Sequence, residues 1–168
     1  MSGGQNDSEG GIALKRTWKK ALSVMAAVIL ALAVFTGCTS KEETAYRRQV
    51  TEAVDGISVE VDKFQAAAAE LDETQASMDA VVAAAKACRE ACDAVAEIEA
   101  PEELAEAHAL FTEAAEEIGG AMDYYAMSFR DIASLQAASE TGLLEIAQER
   151  MMLGGQKMQE AGAALDGK

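Results

Sequence analysis

One proline, one histidine and one tryptophan occur in 168 residues, and only 5% of the chain is aromatic. So little proline, together with strong helix formers such as alanine, leucine, glutamate, methionine and glutamine, leaves too little turn punctuation for a sheet protein of this length. A single histidine excludes the repeated Glu-x-x-His pattern of di-iron bundles and the two-histidine zinc helix. Three cysteines, none in Cys-x-x-Cys spacing, exclude a zinc knuckle or a haem attachment site. Positive charge is scarce as well, with 14 Lys and Arg against 29 Asp and Glu. A nucleic-acid partner needs a basic surface and is therefore not expected. No phosphate loop and no nucleophile–base pair stand out, so the chain is not expected to be an enzyme, and no cofactor is expected.

Most of the informative chemistry lies near the start. Lys15, Arg16, Lys19 and Lys20 precede an apolar run from Ala21 to Phe35, interrupted only by Ser23, and Thr36 and Gly37 then lead to Cys38. A basic flank stays on the cytoplasmic side of a membrane. An apolar run of about 15 residues is short for a spanning helix, which needs about 20, and fits the core of a secretion signal. The competing reading is an uncleaved single-span anchor. Both readings put the chain beyond residue 38 outside the cytoplasm.

The segment Phe35-Thr36-Gly37-Cys38 resembles the lipobox of bacterial lipoproteins, with Gly37 and Cys38 matching and Phe35 replacing the usual leucine. The resemblance implies a lipid thioether on Cys38, which would become the first residue of the mature chain. It implies a location on the extracytoplasmic face of the cell membrane, or at the outer membrane if the cell has two. The expected organisation is a leader and signal over residues 1–37, a lipidated cysteine and short tether over 38–45, and a helical domain over 46–168.

Four of the basic and two of the acidic residues precede Cys38, so the remaining 131 residues carry a net charge near −17. That charge disfavours docking on anionic lipid heads and leaves residence at the membrane to the lipid.

Beyond the tether, apolar residues recur at steps of three and four. The pattern predicts a first helix over about 42–71, with its stripe on Tyr46, Val50, Val54, Ile57, Val61, Phe64, Ala68 and Leu71. A second helix is expected over about 75–98, on Met78, Val81, Val82, Ala85, Cys88, Cys92, Val95 and Ile98. A third is expected from Pro101 to about Gln136, on Leu104, His108, Phe111, Ala115, Ile118, Met122, Tyr125, Phe129, Ile132 and Leu135. Residues 137–141 are expected to turn, with Ser139 or Thr141 as N-cap, before a fourth helix over about 142–165. Short connections make neighbours antiparallel. The expected fold is all-α, an up-down-up-down four-helix bundle, with a longer two- or three-helix coiled coil as the alternative.

Two groups of residues invite a functional reading. Cys88 and Cys92 lie one turn apart on one seam, and a reversal centred near Ala100 would set His108 level with Cys92. A Cys88–Cys92 disulfide, a soft-metal site using Cys88, Cys92 and His108, and plain buried thiols are the three readings. Helical geometry opposes the disulfide, because Cβ atoms four residues apart sit about 5–6 Å from each other and the bond wants about 3.8 Å. The metal site lacks a fourth ligand. The pairs Gly119-Gly120 and Gly154-Gly155 fall on nearly one level of the last two helices. They imply close backbone contact or a kink, or else a small pocket beside Met122, Met151, Met152 and Met158.

Ala100-Pro101-Glu102-Glu103-Leu104 with His108 and Phe111, together with the stretch from Ser139 to Gly154, is similar to segments of uncharacterised small helical lipoproteins of bacteria. That likeness implies a bundle and no known activity. The functional expectation is a membrane-anchored binding module whose partner is an unidentified protein or apolar ligand. The alternative is a metal- or redox-responsive envelope sensor.

Overall fold

The computed structural model describes residues 40–72 and 74–167. The expected signal, the lipidation site Cys38 and most of the tether lie outside these residues. The described chain is all-helical, with five α-helices: α1 (Lys41–Ala69), α2 (Gln75–Asp93), α3 (Ala105–Ser128), α4 (Ile132–Thr141) and α5 (Leu143–Asp166). No strand occurs among the described residues.

Helix α1 begins where its sequence provides a cap. Ser40 Oγ accepts the Glu43 N–H at 3.1 Å, and Glu42 and Glu43 place negative charge at the positive helix end. Its buried residues are Tyr46, Val50, Val54, Ile57, Val61, Phe64 and Ala68, which is the expected stripe. The following turn is held by Asp72, whose Oδ1 accepts the Thr74 N–H at 3.0 Å and the Thr74 hydroxyl at 2.6 Å. These bonds from Thr74, with one from Ser77, hold the Asp72 carboxyl down at about 2. Thr74 Oγ1 in turn caps α2 by accepting the Ser77 N–H at 3.2 Å.

Helix α2 stops earlier than the apolar pattern suggests. After Asp93 the backbone tightens into a 3-10 turn, Ala94–Glu97, and Ile98 is extended. Val95 is still buried, so the tighter turn continues the apolar seam while the chain bends away. The coil up to Pro101 fits the restriction that a proline imposes on the residue before it. A second 3-10 turn, Glu102–Leu104, leads into α3.

The expected helix from Pro101 to Gln136 is two helices. The break falls at Phe129-Arg130-Asp131, where Asp131 takes an extended backbone and its Oδ1 accepts the Ser134 N–H at 2.7 Å. The apolar stripe resumes beyond this break, since Phe129 and Leu135 are buried on either side of it, but Ile132, expected on the same stripe, is 48% exposed. The aspartate cap decides the boundary. The expected turn at 137–141 is helical instead, with the Thr141 hydroxyl donating to the Ala137 carbonyl at 2.8 Å. Reversal is made by Gly142 alone at φ +73°, the left-handed conformation that glycine adopts without a Cβ penalty.

Helix α1 packs on α2, α2 on α3, and α3 most extensively on α5. Tyr46 meets His108 and Phe64 meets Tyr125, so α1 and α3 touch at both ends. Arg47 Nη2 donates to the Leu165 carbonyl at 2.8 Å, which ties the start of α1 to the end of α5. Tyr46, Phe64, Phe111, Ile57, Met78, Ile118, Met122 and Leu165 are the largest fully buried members of a core that also relies heavily on alanine.

Candidate functional site

Cys88 and Cys92 are buried free thiols on one face of α2. The hydrogen bond to Cys88 is the main cause that drives the Cys92 thiol far above its ordinary value, and burial adds to it. A thiol held protonated in this way is a poor nucleophile and a poor metal ligand. His108 lies beside the seam, where Leu104, Ala107 and Phe111 are the buried residues. Its ring meets Tyr46 edge-on, with centroids 5.7 Å apart and planes at 75°. Among the described residues no group of three or more His, Cys, Asp and Glu is placed to hold a metal ion. The metal reading of Cys88, Cys92 and His108 therefore loses its geometry. The reversal is not a simple hairpin at Ala100 but two 3-10 turns and a coil.

The glycine pairs do share a contact region, for two different reasons. A Cβ on Gly154 would lie 2.6 Å from Ile118 Cγ1 and 3.0 Å from both the Ala114 carbonyl oxygen and the Ile118 nitrogen. Here α5 rests against the α3 backbone, as the close-contact reading expects. Gly119 and Gly120 instead make room for arginines. A Cβ on Gly119 would lie 2.8 Å from Arg89 Nη1, and one on Gly120 would fall on the Arg150 guanidinium. Arg89 pairs with Asp93 at 2.9 Å and with Asp123 at 3.6 Å. Arg150 pairs with Glu117 at 2.8 Å and lies over the Tyr124 ring at 5.8 Å. Lys157 adds a pair with Glu113 at 2.8 Å. Met122, Met151 and Met158 are buried among their neighbours, and Met152 is exposed. Met122, Met151 and Met158 thus fill core space.

A groove lies elsewhere, at the start of α1. A groove of about 780 Å³ runs between the first turns of α1 and the segment joining α2 to α3. Glu42, Glu52, Glu97 and Glu99 line it. Glu52 has an exposed partner in Arg48 at 3.8 Å, whereas Glu42, Glu97 and Glu99 have no ion-pair partner among the described residues. Tyr46 belongs to the groove wall, is 1% exposed, and its hydroxyl has no hydrogen-bond partner. Burial raises its phenol to about 12, so it stays protonated at any ordinary pH. His108 Nδ1, across the ring contact, is also buried without a partner, and desolvation lowers the imidazole pKa. Two buried polar groups without a protein partner lie side by side here, an arrangement that costs free energy.

Apolar periodicity placed Tyr46 on the seam but did not reveal this groove. The signal available was the run Glu97-Ile98-Glu99-Ala100-Pro101, an acidic coil entering a helix. No protein-family model, curated protein or solved structure matches the chain.

Proposed function

We propose that the chain is a bacterial lipoprotein precursor whose mature part is held on the extracytoplasmic face of a membrane by lipid on Cys38 and works there as a binding module rather than an enzyme. The observation that carries this reading is the run from Lys15 to Cys38: basic flank, short apolar core, small residues, cysteine. The acidity of the remaining chain supports it from the other side, because a domain of net charge near −17 has no electrostatic hold on anionic lipid. No helix among the described residues is long and apolar enough to cross a membrane.

The four long helices α1, α2, α3 and α5 are inferred to form an up-down-up-down bundle over residues 46–168, with the ten-residue α4 as a short appended helix. Its support is the set of contacts between helix ends: Tyr46 with His108, Arg47 with Leu165, and Gln75 with the Arg130 carbonyl. The open acidic groove beside α1 is the binding surface of this module.

Intact mass analysis of the membrane-extracted protein tests the anchor. Loss of residues 1–37 and gain of a diacylglyceryl mass on Cys38 is the expected result. A Cys38→Ala variant is expected to accumulate at precursor mass, and normal processing of that variant would sink the reading.

A second reading keeps the redox half of the sensor idea, because Cys88 and Cys92 are in hydrogen-bond contact. Thiol counting on the unfolded protein, with and without prior reduction, tests it. Equal counts in both samples would remove it.

A further inference from the structure

We propose that residues 21–35 lie as a helix along the outer face of the α3–α5 pair until the signal is removed, so that the precursor covers this face with its own leader. This rests on the signal part of the proposed function and adds a seat for that segment. Exposed large apolar side chains are spread unevenly: among the described residues, Met127, Ile132, Ile146, Met152 and Leu153 belong to α3, α4 and α5, and Val59 alone lies outside them. Single exposed apolar residues are ordinary, but three of these share one face. The pairs Glu117–Arg150 and Glu113–Lys157 fix the register of α3 against α5, and Arg150 lies over the Tyr124 ring. Met127 is three residues from Tyr124 and Ile146 four from Arg150, so both fall on the same outer face one turn further on. Leu153 stands between Arg150 and Lys157 on that face, three and four residues from them. The result is a track along two antiparallel helices, apolar at intervals, of the kind that an apolar helix fills.

Length, connection and charge select the occupant. From Glu113 to Met127 the track is about 21 Å long, the span that residues 21–35 cover as a helix. Five residues lead from Phe35 to Ser40 and reach at most about 17 Å. Ser40 caps the start of α1, Arg47 ties that start to the Leu165 carbonyl, and Lys157 lies eight residues, about 12 Å, before Leu165. The run therefore enters the track at its Lys157 end and leaves it at Met127. Lys15, Arg16, Lys19 and Lys20 then fall beside α4 and the first turns of α5, where Glu140, Glu145 and Glu149 are exposed. A second copy of a chain of net charge −15 brings repulsion to the same face. A free helix of another protein competes at its own concentration with a segment held nearby by a short link, whose effective concentration is on the order of millimolar.

The test uses the full chain with Cys38→Ala, which keeps the leader attached, at high dilution and without detergent. Ala31→Cys and Leu153→Cys stand four residues before Phe35 and Lys157, so the two positions come level when the run lies in the track. Air oxidation joins two thiols that meet, and peptide mapping separates that link from the buried thiols Cys88 and Cys92. The expected result is an intrachain link between positions 31 and 153, at about ten times the yield given by Ala31→Cys with Asp55→Cys on the exposed side of α1. Met127→Glu with Ile146→Glu lowers the 31–153 yield about tenfold and retains the far-ultraviolet spectrum, since both side chains are exposed on the helices that carry them. Equal yields at 153 and 55 would overturn the proposal, as would links formed only between chains, which would make a second copy the occupant. So would the absence of any link, which would leave the face to a foreign partner. Intact mass of the membrane-extracted wild-type chain separates the readings: a chain lipidated on Cys38 whose precursor gives no 31–153 link keeps its signal and loses this seat.

Discussion

The contact of α3 with α5 and the groove beside the start of α1 are made from the same acidic, alanine-rich chain and differ in almost every physical respect. At the first, Glu113 and Glu117 have cationic partners, and glycine lets α5 approach the α3 backbone. At the second, Glu42, Glu97 and Glu99 line an open groove without an ion pair among the described residues, and Tyr46 and His108 have buried polar atoms without partners. One region has its charges matched and its space filled, as a packing surface requires. The other leaves like charges around open space and buried polar atoms without a protein partner. Net charge describes both regions equally; the placement of five or six side chains separates them.

The largest effect is expected at the packed region. Gly154→Leu drives a side chain into Ile118 and the α3 backbone and is expected to cost about 3 kcal/mol, the upper part of the range for overpacking. Gly120→Ala is the contrast. The atoms it meets are the movable end of Arg150, and alanine gains about 1 kcal/mol of helix propensity over glycine. It is expected to leave the midpoint of urea unfolding nearly unchanged. Equal losses at the two positions would erase the distinction between backbone contact and arginine cradle.

A smaller effect is expected from the ion pair. A double-mutant cycle of Arg150→Ala and Glu117→Ala is expected to give a coupling of about 1 kcal/mol, since both side chains are partly buried and well aligned. Zero coupling would make the pair an ornament of the surface.

The smallest effect concerns the groove side and depends on pH. His108 has a folded pKa below its ordinary value of 6.5 because burial disfavours the cation. The unfolded chain therefore takes up the proton first. Stability is full above pH 6.5 and is lost as pH falls from there through the lower folded value. His108→Gln is expected to flatten that part of the stability profile and leave the steeper loss at lower pH, where Asp72 titrates between 3.8 and about 2. An unchanged profile near pH 6 would mean that the imidazole is solvated when folded.

The sequence was most legible where one face of one helix decided the outcome. Every buried residue of α1 was readable from steps of three and four, as were Met78, Val81, Ala85, Cys88 and Cys92 on α2. It was least legible where a local cap competed with a continuing pattern. Asp131 and Ser134 interrupt an apolar stripe that Phe129 and Leu135 continue on both sides. Gly142 makes a turn in one residue where a five-residue loop was expected. The candidate site was harder still. Gly119 and Gly120 announced a small-residue contact, but the arginines that occupy it come from two other helices. The register of His108 against Cys92 depended on a connection that 3-10 turns reshape. Pairings across helices are set by connections, and apolar spacing carries little information about those.

Helix α1 has one further consequence. Its 29 residues make a rod about 43 Å long, and its first residue lies three positions after Cys38. A lipid there would meet only one end of the rod. That end carries the Glu42–Glu52 stretch, Tyr46 and the Arg47–Leu165 tie. The opposite end carries the Asp72–Thr74 turn and the Phe129–Asp131 break. If Cys38 carries lipid as proposed, the rod would act as a ruler, setting which features share the short reach of the attachment point and which stand a full helix length away from it.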